Sequence, residues 1–340
     1  MKKIKHFKST NVTSRQLWVD SIKHMKISRC LYPGCKNSDI INSHTLQNNG
    51  VISQLAVENQ VCMPRTSRYS VYPMDKKRGV ELNIVGKNVA TTFRGFCKEH
   101  DDKLFADIEK SKWYPNDKSA FLFTYRTICS ELQNKQEFMK RVQYVMNKKW
   151  LTYDKLSVYA QDDYDSNKAA IKDLLRVKKQ CDLYWKNKEK DFPIVGIVLN
   201  MPKANFAVSG YYIPQYDFED KQLNNKHWQV GYPVFVNIIP YKDKTIAFLT
   251  AYRDDYKNIY KDYFTDIKDL PETQKEIFLT NITIKSSDNL IINPNTAKKL
   301  TKDQIKLIEG ESNIDDSILE NVAGTGLIDL KDKGLNLFKI

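Results

Sequence analysis

The chain has 340 residues, 41% of them hydrophobic, with 54 Lys and Arg against 41 Asp and Glu for a formal net charge of +13. That leaves room for two or three domains with ordinary cores, and it excludes a disordered polyelectrolyte. No run approaches the ~18 uncharged apolar residues of a membrane span, Met1-Lys2-Lys3-Ile4-Lys5 has no apolar stretch behind it to make a signal peptide, and six cysteines are too few for a disulfide scaffold, so a cytoplasmic protein is expected.

The basic excess is local. Residues 1–112 hold 20 Lys and Arg against 10 Asp and Glu, whereas residues 113–340 hold 34 against 31. A positive field of that kind concentrates polyanions, which makes nucleic acid the expected partner. Within this first third, Trp18, Val19, Ile22 and Met25 are spaced for a short helix. Cys30-Leu31-Tyr32-Pro33-Gly34-Cys35 follows, with Pro-Gly turn chemistry between two thiols. Ile40 and Ile41 then lead into a strand ending at His44, before the turn signal Asn48-Asn49-Gly50. Val61 to Tyr72 and Val80 to Val85 read as strands joined by a basic loop. Lys76, Lys77 and Arg78 in that loop, with Arg94 beyond it, are the candidate nucleic-acid contacts, and Tyr69 and Tyr72 lie close enough in sequence to stack on bases.

Gly95-Phe96-Cys97-Lys98-Glu99-His100 closes the segment, and the acidic and then apolar spacing from Asp101 to Glu109 marks a helix start. Cys30 and Cys35 form one ligand pair, Cys97 and His100 the other, and together they predict a four-coordinate structural zinc ion, with Cys62 as the competing ligand. A knuckle first and a helix-borne pair last is the order of a treble-clef finger. Cys129 and Cys181 fall in helical patterns and read as buried small residues.

Residues 113–191 read as a helical region. Phe121, Tyr125, Ile128 and Leu132 recur at three and four, as do Ile171, Leu174 and Val177, with Asp162-Asp163-Tyr164-Asp165 as an interruption. Residues 192–340 read as an antiparallel β-rich α+β domain. Its strands begin at Ile194, Phe206, Val234 and Ile246, the last two forming a hairpin across Pro240 to Thr245, with helical insertions at Asp255 to Ile267 and Glu272 to Phe278. Thr301-Lys302-Asp303-Gln304 is a capping box for a helix ending near Gly310. His227-Trp228 stands in a polar loop, and Ala323-Gly324-Thr325-Gly326 lacks the third glycine of a dinucleotide site. The expected fold class is α+β: an N-terminal zinc-bound module (1–112), a central helical region and a C-terminal antiparallel sheet region with helices.

A Cys pair, a His in the setting Ser43-His44-Thr45-Leu46-Gln47, and a Cys-Xaa-Xaa-ligand pair opening a helix together resemble the HNH, or ββα-metal, family of nucleases, over the first third of the chain. The resemblance implies that His44 is the general base and that Cys30, Cys35, Cys97 and His100 hold structural Zn2+. It also implies that Asp101 holds a catalytic Mg2+ or Mn2+, in the place where the family usually has its last metal-binding His. Ser43 stands where the family usually has an acidic residue, Asn88 is nearest to its middle Asn, and the long interval from Cys35 to Cys97 implies an inserted hairpin. The function expected by resemblance is a metal-dependent nuclease acting on DNA or RNA, of a kind common in bacterial phage defence. Its C-terminal region would sense a trigger, bind a protein partner or self-associate. The other expectation, favoured by Ser43, is a non-catalytic zinc-finger protein that binds nucleic acid or a partner.

Overall fold

The computed structural model describes residues 19–66, 80–109, 113–147, 155–187, 189–224, 230–285, 289–310 and 329–340. It is mixed α+β, with a helical middle and a large antiparallel sheet. Residues 19–25 are helical, as the apolar spacing around Val19 and Ile22 predicts. Strand β1 (Ser43–His44) follows, then a π turn at Asn48–Ile52 running into Ser53–Leu55, β2 (Gln60–Thr66), β3 (Val80–Gly86), β4 (Thr92–Phe93) and α1 (Lys98–Glu109). β1 and β4 pair antiparallel, Ser43 opposite Phe93 and His44 opposite Thr92. The chain between the two cysteine pairs therefore does carry a hairpin, β2–β3, paired from Gln60–Gly86 to Thr66–Val80.

Two long helices form the middle, α2 (Asp117–Met146) and α3 (Lys155–Asn187). The sequence Asp162-Asp163-Tyr164-Asp165 does not interrupt α3. It contains no Gly or Pro, and an aspartate in a helix costs only some tenths of a kcal/mol relative to better formers. In α2, residues 119–133 are buried almost all round, so an apolar stripe alone does not describe it. Thr124, Thr127 and Ser130, three residues apart and so on one face, each find a hydroxyl partner. Thr124 bonds Thr250 at 2.8 Å, Thr127 bonds Ser209 at 2.7 Å, and Ser130 bonds Thr45, just past His44, at 2.7 Å. One helix thus ties the sheet to the segment that carries His44.

The sheet is built from β5 (Ile194–Pro202), β6 (Phe206–Tyr212), β7 (Val234–Tyr241), β8 (Lys244–Tyr252) and the two-residue β9 (Ile291–Ile292). Its order is β3-β2-β9-β6-β7-β8-β5, every pairing antiparallel. The hairpin of the first third joins the sheet of the last third through Ile292, which pairs with Cys62 on one side and Phe206 on the other. Phe235, Ile239, Ile246 and Phe248 face the middle helices and the N-terminal segment. Val234, Val236, Ile238 and Leu249 face the second helical layer, α4 (Lys261–Asp269) and α5 (Glu272–Lys285), with Leu335 and Leu337 near the chain end. Burial on both faces is why β7 and β8 read as unbroken apolar runs. Their turn is tighter than the sequence suggests: Pro240 stays in the ladder opposite Thr245, and only Lys242 and Asp243 lie between the strands. The capping box is closed at Thr301 and Gln304 and opens α6 (Lys302–Ile308). Among the described residues, no helix is long and apolar enough to cross a membrane.

Candidate metal centre and the adjoining His44 site

The Cys30–Cys35 turn is closed by the Cys35 N–H donating to the Tyr32 carbonyl at 3.1 Å, with Gly34 at φ +82°, a left-handed conformation that costs glycine nothing. The Leu31 N–H donates to the Gly95 carbonyl at 2.8 Å, which draws this turn against the segment carrying Cys97. α1 begins directly after Cys97, so its first turn delivers His100. The donor atoms of Cys30, Cys35, Cys97 and His100 all lie within 4.8 Å of one another. His100 Nδ1 is 3.1 Å from Cys97 Sγ and 3.7 Å from Cys30 Sγ. Tetrahedral zinc with ordinary bond lengths sets such donor separations at about 3.6–3.8 Å. Three thiols and an imidazole converging at that scale are able to hold a metal ion and are compatible with structural zinc.

The surroundings support the same reading. The Cys97 N–H points at Cys30 Sγ and the Asn37 N–H at Cys35 Sγ, each at 3.5 Å. Tyr32 stacks on His100 with ring centroids 4.0 Å apart, fixing the ring. Burial pushes the Cys30 thiol up to about 11. A cation among the sulfurs reverses that preference, since a coordinated thiol is deprotonated outright. Cys62 is buried with the opposite face of the sheet and belongs to a different core cluster from Cys30 and Cys97.

His44 is half-buried, with Nδ1 3.0 Å from the Ala90 carbonyl oxygen. A carbonyl only accepts, so Nδ1 carries the proton and the neutral ring keeps its lone pair on Nε2. Desolvation lowers the His44 pKa below 6.5; the Ala90 carbonyl opposes this, and the Arg126 charge adds to it. Asp101, the second residue of the helix-borne HisAsp dipeptide, has its carboxyl raised by burial and lowered by Arg126. The Ser43 hydroxyl lies near enough to favour the carboxylate, yet neither Ser43 Oγ nor Asp101 Oδ1 closes an aligned hydrogen bond. Arg126 is 1% exposed, stacks 4.0 Å over the Phe105 ring and pairs through Nη2 with Glu109 at 2.6 Å, while its Nε and Nη1 have no partner. A buried polar atom without a partner is costly, and an ion, water or ligand oxygen is the usual way such an atom is satisfied.

His44 and Asp101 are thus brought under one local field, set by Arg126 and Glu109. Arg94 is half-buried with its Nε unpartnered. Lys76, Lys77 and Arg78, like Tyr69, Tyr72, His227 and Trp228, lie outside the described residues. Asn88 is exposed and accepts from Asn48 Nδ2 at 3.1 Å. Sequence reasoning missed Arg126 and Glu109. The available signal was Arg126 itself, a lone charge inside Phe121-Leu122-Phe123-Thr124-Tyr125-Arg126-Thr127-Ile128-Cys129. Arg126→Met is expected to destabilise the fold by about 2–4 kcal/mol in urea unfolding, because it removes one partner of a largely buried ion pair. A loss below about 0.5 kcal/mol would show the pair to be dispensable. Compared with known protein families, with curated proteins and with solved structures, the chain finds no match.

Proposed function

We propose that the chain is a metal-dependent nuclease of HNH-like type, with a treble-clef finger as its catalytic module and zinc as a structural ion. The observation that carries this reading is the state of His44. Its proton is held on Nδ1 by the Ala90 carbonyl, its Nε2 is left as a base, and Asp101 shares its surroundings with an oxygen lacking a hydrogen bond. The order of cysteine turn, paired strands β1 and β4 and ligand-bearing α1 supports the finger.

Asp101 is the residue that would hold Mg2+ or Mn2+, and such an ion supplies charge stabilisation at a scissile phosphate. His44 Nε2 would take a proton from water as the hydroxide attacks phosphorus; the P–O bond to the leaving nucleotide breaks with its electron pair on the leaving oxygen, which is protonated from solvent, and His44 returns its proton to solvent. Arg126 sits behind both groups as a fixed positive charge that favours neutral His44 and ionised Asp101. Incubation of the purified chain with plasmid, single-stranded DNA and RNA in Mg2+ or Mn2+ tests the reading. Cleavage of at least one substrate is expected, and its absence in all of them defeats the proposal.

The pH dependence has a defined sign. Because the His44 pKa is lowered, its base form is already dominant at 6.5, so cleavage should rise with pH through a midpoint below 6.5 and be level above it. Linkage runs the same way: a histidine kept neutral by the fold takes no stability at neutral pH and withdraws it as the pH falls below about 6.5. A rate that still climbs steeply between pH 7 and 8 would assign the base to another group. Ser43, in the place of an acidic residue, favours the second reading, a finger that binds nucleic acid without cutting it.

A further inference from the structure

The outer face of α3 carries Lys168, Lys172, Lys179 and Lys186, all exposed and spaced by four, seven and seven residues. At about 100° per residue the four fall within an arc of about 40°, a straight line of cations along the helix. From Lys168 to Lys186 that line runs about 27 Å at 1.5 Å per residue. Leu175 and Leu183, 44% and 37% exposed, lie on the same face between the lysines.

Two carboxylates of this part of α3 have other surroundings than open solvent: Asp182 pairs with Lys178 at 2.8 Å, and Asp173 is buried with Arg176 and Lys172 as its nearby positive charges. The ion pairs of this part of α3 are those of Arg176 and Lys178, and none of the four outer lysines forms an ion pair with a carboxylate among the described residues. Asp165 flanks the line at its N-terminal end. Residues 113–340 are nearly charge-balanced, so four cations in a line do not follow from composition there.

Along one side the line borders a groove of about 420 Å³ between α3 and the cysteine turn, lined by Arg29, Lys179, Lys186 and Leu183 together with the Lys178–Asp182 ion pair, so that its only carboxylate is already neutralised. The groove adds Arg29, from the strongly basic first third, to the same surface.

We propose that this face of α3, with Arg29 across the groove, binds the sugar-phosphate backbone of nucleic acid. The chemistry is charge complementarity of a particular shape: an extended line of one sign, matched to a polymer whose charges repeat along a line. Twenty-seven ångströms corresponds to about eight base-pair steps at 3.4 Å each. Long exposed lysines suit phosphates, which need charge without fixed geometry, whereas lysine is depleted from protein–protein interfaces. The two leucines offer apolar contact to sugars between phosphate contacts. This assignment rests on the nucleic-acid half of the proposed function and is independent of cleavage.

The full chain carrying Lys168→Gln, Lys172→Gln, Lys179→Gln and Lys186→Gln tests it, because glutamine retains helix propensity and none of the four side chains is buried. Binding of a fluorescein-labelled 24-base-pair duplex is titrated from 50 to 200 mM salt without added Mg2+ or Mn2+ and without chelator, which would strip a structural zinc. A second variant, Lys257→Gln, Lys261→Gln, Lys268→Gln and Lys302→Gln, makes the same charge change on exposed lysines of other elements. If all four α3 lysines meet phosphates, the slope of log affinity against log salt falls by about 3–4, and affinity at the low-salt end drops at least about tenfold. The second variant is expected to keep most of the wild-type slope. Equal losses in the two variants, a wild-type slope in the α3 variant, or no binding by the wild type would each overturn the proposal. So would a change of oligomeric state in the α3 variant by sedimentation, which would make the face a protein interface. Cleavage that persists with unaltered binding in the α3 variant removes this inference and leaves the nuclease reading. Salt-sensitive binding lost in the α3 variant, from a wild type that cuts nothing, does the reverse.

Discussion

Cys97→Ser is expected to give a chain that carries no zinc and fails to fold its first hundred residues, against about one zinc per wild-type chain by elemental analysis. Structural zinc contributes ~10 kcal/mol or more in small sites, comparable with the whole stability of a domain. The geometry gives the loss a route. Cys97 is 1% exposed and directly precedes α1, whose Leu104, Phe105 and Ile108 are core residues. Phe96 beside it packs edge-on to Phe93 and Phe105, and so joins β4 to α1. Cys30→Ser should act alike, since Cys30 is equally buried and anchors the turn to Cys97. Cys62→Ser should keep full zinc and lose about 1–2 kcal/mol, the cost of placing a hydroxyl in the far core of the sheet. A metal-free wild type that is fully folded would end the zinc assignment, and so would zinc loss in Cys62→Ser.

The clustering of Cys30, Cys35, Cys97 and His100 was legible because its signal is local. Two ligands three or five residues apart fix their own turn, and the fold has only to bring two turns together, as Leu31 and Gly95 do. The strands of the last third were legible through runs such as Val234 to Ile239, and the capping box through four consecutive side chains. Other features have no local signal. β9 is two residues long, so nothing in Ile291-Ile292 announces that it joins the β2–β3 hairpin to the main sheet. Arg126 and Glu109 meet only because α2 packs on α1. The continuity of α3 was misread by giving three aspartates the weight of a breaker, although propensity differences of tenths of a kcal/mol do not end a helix that tertiary packing holds. Its lysine spacing is present in the sequence, but periodicity cannot say which face looks outward; the burial of Leu174, Val177 and Cys181 in the core decides that. The basic loop at Lys76, Lys77 and Arg78 remains an expectation from sequence alone.

His44→Ala is expected to reduce cleavage by about 10²- to 10⁴-fold, the usual worth of a positioned general base, while zinc content and nucleic-acid affinity stay close to wild type. Those factors correspond to about 3–5 kcal/mol of transition-state stabilisation. The structural cost is far smaller. His44 makes one hydrogen bond, to Ala90, worth about 1 kcal/mol, and the β1–β4 pairing uses backbone atoms that alanine retains. Thr45 keeps its bonds to Ser130 and Thr91, so the strand stays tied to α2. A large activity loss with a small stability loss therefore separates a base from a core residue. Asp101→Asn should separate a metal ligand from both. Its backbone N–H still donates to the Cys97 carbonyl, and the amide removes a charge that burial disfavours, so the fold should lose little stability. Activity should fall and need more Mn2+ or Mg2+ for half-maximal rate, because the carboxylate that would hold the ion is gone. Should His44→Ala strip the zinc or unfold the chain, His44 is a structural residue and the catalytic reading fails. If His44→Ala and Asp101→Asn both cut as well as wild type, the base and the metal ligand lie elsewhere.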